Sequence, residues 1–234
     1  MTEPILLKDV FSDAHLKEIK EVSYLKFKEA MVVDRSNTTL EEIYAGKSDV
    51  IIDKKMGRAQ ISLKPDMFSK RLLSFLENFG EKYNSNSIFT GMTFTRYSSE
   101  YGFPQLGPHI DHKSQMAFIL NLQLHSNIDW PICYPNASYI LKNGDSILME
   151  ATKIPHWREP KAFSPSDFIE MLFIHFDDYT LKKESEEYDP YKLRELLTEI
   201  RKEYHKKREY IAIPDFSSKY DPAAEEKIKE LNNN

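Results

Sequence analysis

One cysteine, Cys133, is all the chain contains. No internal disulfide can form, and the expected compartment is the reducing cytoplasm. Long apolar runs are missing as well. No stretch approaches the ~20 residues of a membrane span, and the opening MTEPILLKDVF lacks the basic segment and long apolar stretch of a secretory leader. Positive charge is in deficit. The formal net charge of −5 supplies no global field to draw in nucleic acid or an anionic membrane, so neither is an expected partner. There is no internal repeat and no collagen-like or mucin-like bias. The rest of the composition is globular: 234 residues, 41% hydrophobic and 12% aromatic, enough for one buried core with appendages.

The hydrophobic pattern divides the chain into three parts of one expected domain. Residues 1–87 read as a strand and helix flank. ILLKDVF (5–11) is a short strand, Ser12 an N-cap, and 13–22 a helix. Residues 29–55 read as loop with short strands. A second helix follows Asp66, with Met67, Leu72, Phe75, Leu76 and Phe79 at helical spacing and Gly80 near its end. Residues 88–178 change character to short strands with turn chemistry between them: 88–97, 116–125, 137–142, 146–151 and 167–176. Asn143-Gly144-Asp145 is a turn signal between the third and fourth. This part predicts a sandwich or barrel. Residues 179–234 read as a charged helical tail. A helix from Asp189-Pro190 to about 210 carries Leu193, Leu196, Leu197 and Ile200 on one face, and a short polar helix follows from about 222. The basic residues at 194–209 alternate with glutamates, which describes a solvated face with i,i+4 pairs rather than a nucleic-acid patch.

Among the seven histidines, two stand in a metal-binding context. His109-Ile110-Asp111 places an imidazole and a carboxylate at i and i+2, which share a face in an extended segment. His156 follows the Gly144-Asp145 turn and the strand after it, where an adjacent strand can bring it to the same end of a barrel. Two neutral imidazoles and one carboxylate leave up to three positions open on an octahedral metal. That arrangement suits iron(II), which can then take O2 and a bidentate co-substrate. Zinc can use the same ligands, but no HExxH helix of a zinc hydrolase is present. An HxD pair by itself is a common chance occurrence, and its surroundings carry the reading.

Those surroundings are GPHIDH (107–112) followed by GDSILMEATKIPHWREP (144–160), with Arg96-Tyr97 upstream and FIHF (173–176) downstream. Together they resemble the iron(II)- and 2-oxoglutarate-dependent dioxygenases, in particular prolyl-hydroxylase-like members with an HWREP segment. The resemblance covers about 88–178. It implies a mainly β fold with flanking helices around a double-stranded β-helix (jelly-roll, cupin-like) core. It implies iron(II) on His109, Asp111 and His156, and 2-oxoglutarate and O2 as co-substrates. The implied reaction hydroxylates an unactivated C–H bond of an amino acid, peptide or small metabolite.

The resemblance also implies a cation for the distal carboxylate of the oxoacid. Many members supply it from the strand after the distal histidine, but 167–176 holds no Arg or Lys. The candidates are Arg158, two residues past His156, then Arg96, with Lys113 and Lys161 behind them. An ion pair of Arg158 with Glu159 or Asp167 is the competing expectation. Tyr97 is a candidate hydroxyl donor to the oxoacid, or a core aromatic. Trp157 and His175 are candidate substrate contacts, with Trp130 as a further wall. A core role for His175 is the alternative. His112 points to the opposite face from His109 and Asp111 by alternation and is not counted as a ligand. Two other readings stay open: a metal-dependent cupin-like oxygenase without 2-oxoglutarate, and a non-catalytic jelly-roll that binds a ligand.

Overall fold

Ser12 starts the first helix as its side chain predicts: the hydroxyl accepts from the His15 amide at 3.3 Å. In the computed structural model, which describes residues 3–30, 32–34, 50–111, 115–181 and 190–209, helix α1 (Asp13–Glu29) runs seven residues beyond the expected end. The strand before it, β1 (Ile5–Leu7), is shorter than expected. Asp9 turns out of it at φ 52°, a left-handed conformation that aspartate tolerates. Phe11 is buried instead, 5.3 Å from the ring of Phe75.

Helix α2 (Lys70–Tyr83) begins later than the Asp66 reading, and Met67 lies in a short 3-10 turn before it. The reason is Ser69. Its hydroxyl caps the Leu72 amide at 3.3 Å, and both its amide and hydroxyl are held by the Glu18 carboxylate of α1. The two helices are thereby tied at their ends.

Among the described residues twelve strands make two sheets. The remaining ones are β2 (Val32–Asp34), β3 (Val50–Asp53), β4 (Arg58–Leu63), β5 (Ile88–Ser98), β6 (Leu106–His109), β7 (Met116–Ser126), β8 (Ile132–Tyr134), β9 (Ala137–Tyr139), β10 (Ser146–Met149), β11 (His156–Arg158) and β12 (Phe168–Asp177). The large sheet has the order β1-β10-β7-β12-β5-β4-β3-β2, and the small one β6-β11-β8-β9. All pairings are antiparallel except β2 with β3. Strands of the N-terminal segment thus extend the same sheet that carries β5, β7, β10 and β12.

The large sheet is buried on both faces, which is why β7 and β12 read as near-continuous apolar runs. One face, with Phe94, Leu120, Leu122, Leu172, Ile174 and Phe176, packs under α1 and α2. The other, with Tyr97, Ile119, Ile147, Met149, Ile169 and Met171, packs against Trp130, Ile132, Tyr134, Ile154 and Phe163 from the small sheet and its loops. Gly144, at φ 94°, closes the turn before β10, and its amide reaches the Gln123 carbonyl at 2.8 Å.

The last described helix, α3 (Pro190–Glu209), matches the expected span. Among its described side chains Leu197 and Tyr204 are buried and Leu196 is 36% exposed, while Leu193 of the expected apolar face lies outside them. No described helix is long and apolar enough to cross a membrane. Asp189, His112, Lys113 and the helix expected from 222 lie outside the described residues.

Candidate metal centre

Strands β6 and β11 pair antiparallel in the small sheet, with His109 directly opposite His156. Asp111 follows the end of β6, and its amide donates to the Ala151 carbonyl at 2.9 Å. The consequence is convergence. One ligand atom from each of His109, Asp111 and His156 lies within 4.8 Å of the others. Nε2 of His109 is 3.5 Å, and Nε2 of His156 3.9 Å, from Oδ1 of Asp111.

Both imidazoles are oriented by the same device. Nδ1 of His109 sits 2.8 Å from the Gly107 carbonyl, and Nδ1 of His156 3.1 Å from the Ile154 carbonyl. A carbonyl only accepts, so each Nδ1 carries the proton and each Nε2 presents a lone pair to the centre. Such backbone partners are what fix a metal-ligating histidine. Burial, followed by the nearby His109, lowers the His156 pKa to about 4, which keeps the ring neutral at physiological pH. For Asp111 burial acts upward, but the neighbouring imidazoles of His109, His156 and His175 outweigh it, and the net shift is downward. With Nδ1 on each backbone carbonyl, the site turns two imidazole Nε2 atoms and one carboxylate toward a common centre. Three lone pairs facing one another repel unless a cation lies between them.

Two residues past His156, Arg158 turns into the space between the sheets and is 2% exposed. One guanidinium nitrogen donates to the Trp130 carbonyl, another lies 3.4 Å from the Met171 sulfur, and the group sits 5.0 Å from the Trp130 ring centre. Neither expected ion pair forms: Glu159 binds Lys207 at 2.9 Å, and Asp167 caps the Ser164 amide at 2.7 Å. Among the described residues no carboxylate pairs with Arg158. Burial lowers its pKa, against the opposing fields of Tyr97, Tyr134 and Cys133. A buried guanidinium without an anion is expensive.

Arg96 points to the other face of the large sheet. Its NH1 is 3.0 Å from the Glu170 carboxylate, and it stacks 4.6 Å above Phe168 under α1. Tyr97 faces the inter-sheet space, fully buried, edge-on to Trp130 at 5.2 Å, and its hydroxyl accepts from Arg58 at 3.3 Å. His175, on β12, reaches Thr93 Oγ1 through Nε2 at 3.3 Å and is close enough for its charge to act on Asp111. Trp157 alternates away from His156 and Arg158; it is half-buried, with Nε1 3.5 Å from Glu159. Trp130 is buried and donates to the Glu159 carbonyl at 2.7 Å. The Lys161 ammonium is held by the Asp129 carbonyl at 2.6 Å, in an exposed position.

Sequence reading missed Asn121. It is 2% exposed on β7, and its Oδ1 has no hydrogen-bond partner among the described residues. Alternation puts it on the inter-sheet face between Ile119 and Gln123, whose amide is satisfied by the Leu141 carbonyl at 2.7 Å. The signal was present as two polar residues at i and i+2 in an otherwise apolar strand, and a buried amide oxygen left unpaired calls for a partner.

No protein-family model matches the chain, and no curated protein matches it. Solved structures do. A prolyl-4-hydroxylase from Pseudomonas putida superposes with a TM-score of 0.53 at 11% identity, covering 76% of this chain and 94% of that one. A prolyl hydroxylase from Trichoplax adhaerens, solved with a hypoxia-inducible-factor oxygen degradation domain peptide, gives 0.52 at 10% identity, covering 76% and 84%. At such identities the likeness is one of fold, and the fold is the double-stranded β-helix.

Proposed function

We propose that this chain is an iron(II)- and 2-oxoglutarate-dependent dioxygenase that hydroxylates an unactivated C–H bond. The convergence of His109, Asp111 and His156, each imidazole locked with Nε2 toward the centre, is the observation that carries the proposal. The donor set fits iron(II): two neutral nitrogens and one carboxylate, with positions left for other ligands. When bound, iron(II) with 2-oxoglutarate couples oxidative decarboxylation of the oxoacid, to succinate and CO2, to transfer of one oxygen atom of O2 into the substrate C–H bond.

The residues divide the work. His109, Asp111 and His156 hold the metal. Arg158 receives the distal carboxylate of the oxoacid, because it is a buried cation with no carboxylate partner among the described residues, on the same strand and face as His156. Asn121, with its unsatisfied amide oxygen, and Tyr97 flank the same space and would bind polar atoms of the co-substrate. His175 stands nearer the metal ligands and would contact the metal-bound end of the oxoacid or the substrate. Arg96 has no part in this, since it neutralises Glu170 on the far face. Trp157, on the outer side of β11, would act through packing. The similar Trichoplax enzyme was solved with a peptide fragment, and a peptidyl side chain is the substrate class we favour over a free metabolite. Cys133, free and buried, accords with a cytoplasmic setting.

A second reading is an oxygenase of this fold that does not use 2-oxoglutarate; the absence of any Arg or Lys on β12 favours it. Anaerobic addition of iron(II) and then 2-oxoglutarate separates the two. The proposal expects a visible metal-to-ligand charge-transfer band, and succinate after admission of air, both lost in His156→Ala. Iron binding with neither band nor succinate would replace it by the second reading.

A further inference from the structure

We infer that Arg201, on helix α3, is a positioning residue for the metal ligand His109. The inference rests on the metal reading above.

The strand that carries His109 is poorly equipped to hold it. β6 is four residues long and, among the described residues, lies at the edge of the small sheet and pairs with β11 alone. Its register slips: His156 faces His109 and Arg158 faces Leu106, so Gly107 and Pro108 together oppose Trp157. This is a bulge directly before the ligand, and bulges re-aim the side chains that follow them. Pro108 has no N–H to contribute to a ladder. Gly107 does a specific task, since its carbonyl fixes the His109 tautomer at 2.8 Å. A rotation of the Gly107-Pro108 backbone would therefore both move the imidazole and release the hydrogen bond that aims Nε2.

Helix α3 touches both bulge residues. Nε of Arg201 donates to the Pro108 carbonyl at 3.0 Å. The ring of Tyr204, 3% exposed, reaches to 4.0 Å from where a side chain on Gly107 would begin. Lys207 adds an exposed ion pair to Glu159 beyond β11 at 2.9 Å. The helix thus packs beside β6 at the bulge. Arg201 supplies a fixed, charge-assisted donor to the one carbonyl between the tautomer-setting residue and the ligand.

The test uses full-length, metal-free protein titrated with cobalt(II), read by calorimetry and by the visible d–d spectrum, beside its apo melting temperature. Arg201→Ala should weaken cobalt(II) binding by about tenfold, the usual scale for losing a partner behind a metal ligand, and should alter the d–d spectrum. Arg201→Lys, which can still donate to Pro108, should stay near wild type. Lys207→Ala, on the same helix, should leave affinity and spectrum unchanged. Wild-type affinity and spectrum in Arg201→Ala, whatever its melting temperature, would overturn the inference. If Arg201→Ala does not fold, Arg201→Met keeps the packing stem without the donor and is read by the same two outcomes. His109→Ala and His156→Ala distinguish the levels. If they abolish cobalt binding and Arg201→Ala does not disturb it, only this inference fails; if they leave it intact, the metal reading fails and takes the inference with it.

Discussion

Replacing Arg158 by Met separates stability from binding in a way that few substitutions in a core would. Arg158 is buried at 2% exposure among Trp130, Tyr97, Tyr134 and Met171, with no carboxylate partner among the described residues. Placing a guanidinium there costs several kcal/mol. Against this stand a charged hydrogen bond to the Trp130 carbonyl, ~1.5–3 kcal/mol, and the Trp130 face at 5.0 Å, ~0.5–2 kcal/mol. Methionine removes the penalty and both gains, fills much of the volume, and leaves the Trp130 carbonyl unpaired at ~1–3 kcal/mol. These terms nearly cancel. The apo protein should change by less than ~2 kcal/mol, or ~8 °C in melting temperature for a chain of this size. Binding of 2-oxoglutarate should respond quite differently. Losing one partner of a dry carboxylate–guanidinium pair costs ~2–5 kcal/mol, or about 30- to 5,000-fold in Kd. Anaerobic titration of the iron(II) protein with 2-oxoglutarate measures this, and thermal or urea unfolding of the apo protein measures the other half. A strongly destabilised Arg158→Met that binds 2-oxoglutarate normally would refute the argument and make Arg158 a structural residue.

Arg96→Met should give the reverse pattern. It takes the guanidinium from the buried Glu170 carboxylate, which keeps the Tyr24 hydroxyl at 2.6 Å, and should lose about 2 kcal/mol of stability, below the usual range for a buried pair because Arg96 is one-third exposed and Tyr24 remains, with 2-oxoglutarate affinity unchanged. His156 should make the apo protein acid-sensitive. Its folded pKa, about 4, lies below its unfolded value, so the unfolded state binds the proton first; stability is full above the unfolded value and falls as pH drops toward 4. Unfolding free energies across this range should show the slope in wild type, and a flatter one in His156→Leu. The His15 pKa is lowered mainly by burial, with the Arg71 charge adding to it, and neither ring nitrogen has a hydrogen-bond partner among the described residues. His15→Leu should raise stability by ~1 kcal/mol without altering metal binding, as chemical denaturation of the two proteins would establish.

Long elements were legible because their periodicity survives averaging. Strands β5, β7 and β12 and helix α3 fall close to the expected spans. Among the strands of three or four residues, β1, β9 and β10 fall inside expected segments, but β6, β8 and β11 are too short for alternation to register. Two of those three carry the candidate histidine ligands. β4 was legible in principle, since Ala59, Ile61 and Leu63 alternate with Arg58, Gln60 and Ser62, but it lies outside the segment where strand patterning was expected. The start of α2 depended on Glu18, fifty-one residues away from Ser69, which no local pattern contains.

The sequence by itself determined the candidate ligand types and their order, His-x-Asp and then a distal His, because coordination chemistry restricts which side chains can do this and HxD spacing in an extended segment puts two of them on one face. Tertiary structure decided everything that depends on which face a residue takes once two sheets close on each other. It sent Arg96 outward to Glu170 and Arg158 inward to an apolar space, although both are arginines in β-strands. It aimed both imidazoles through carbonyls two residues back, and placed a C-terminal helix behind the bulge that carries His109. Those are long-range pairings, set by burial and register, and a one-residue slip in any of them would reverse the assignment.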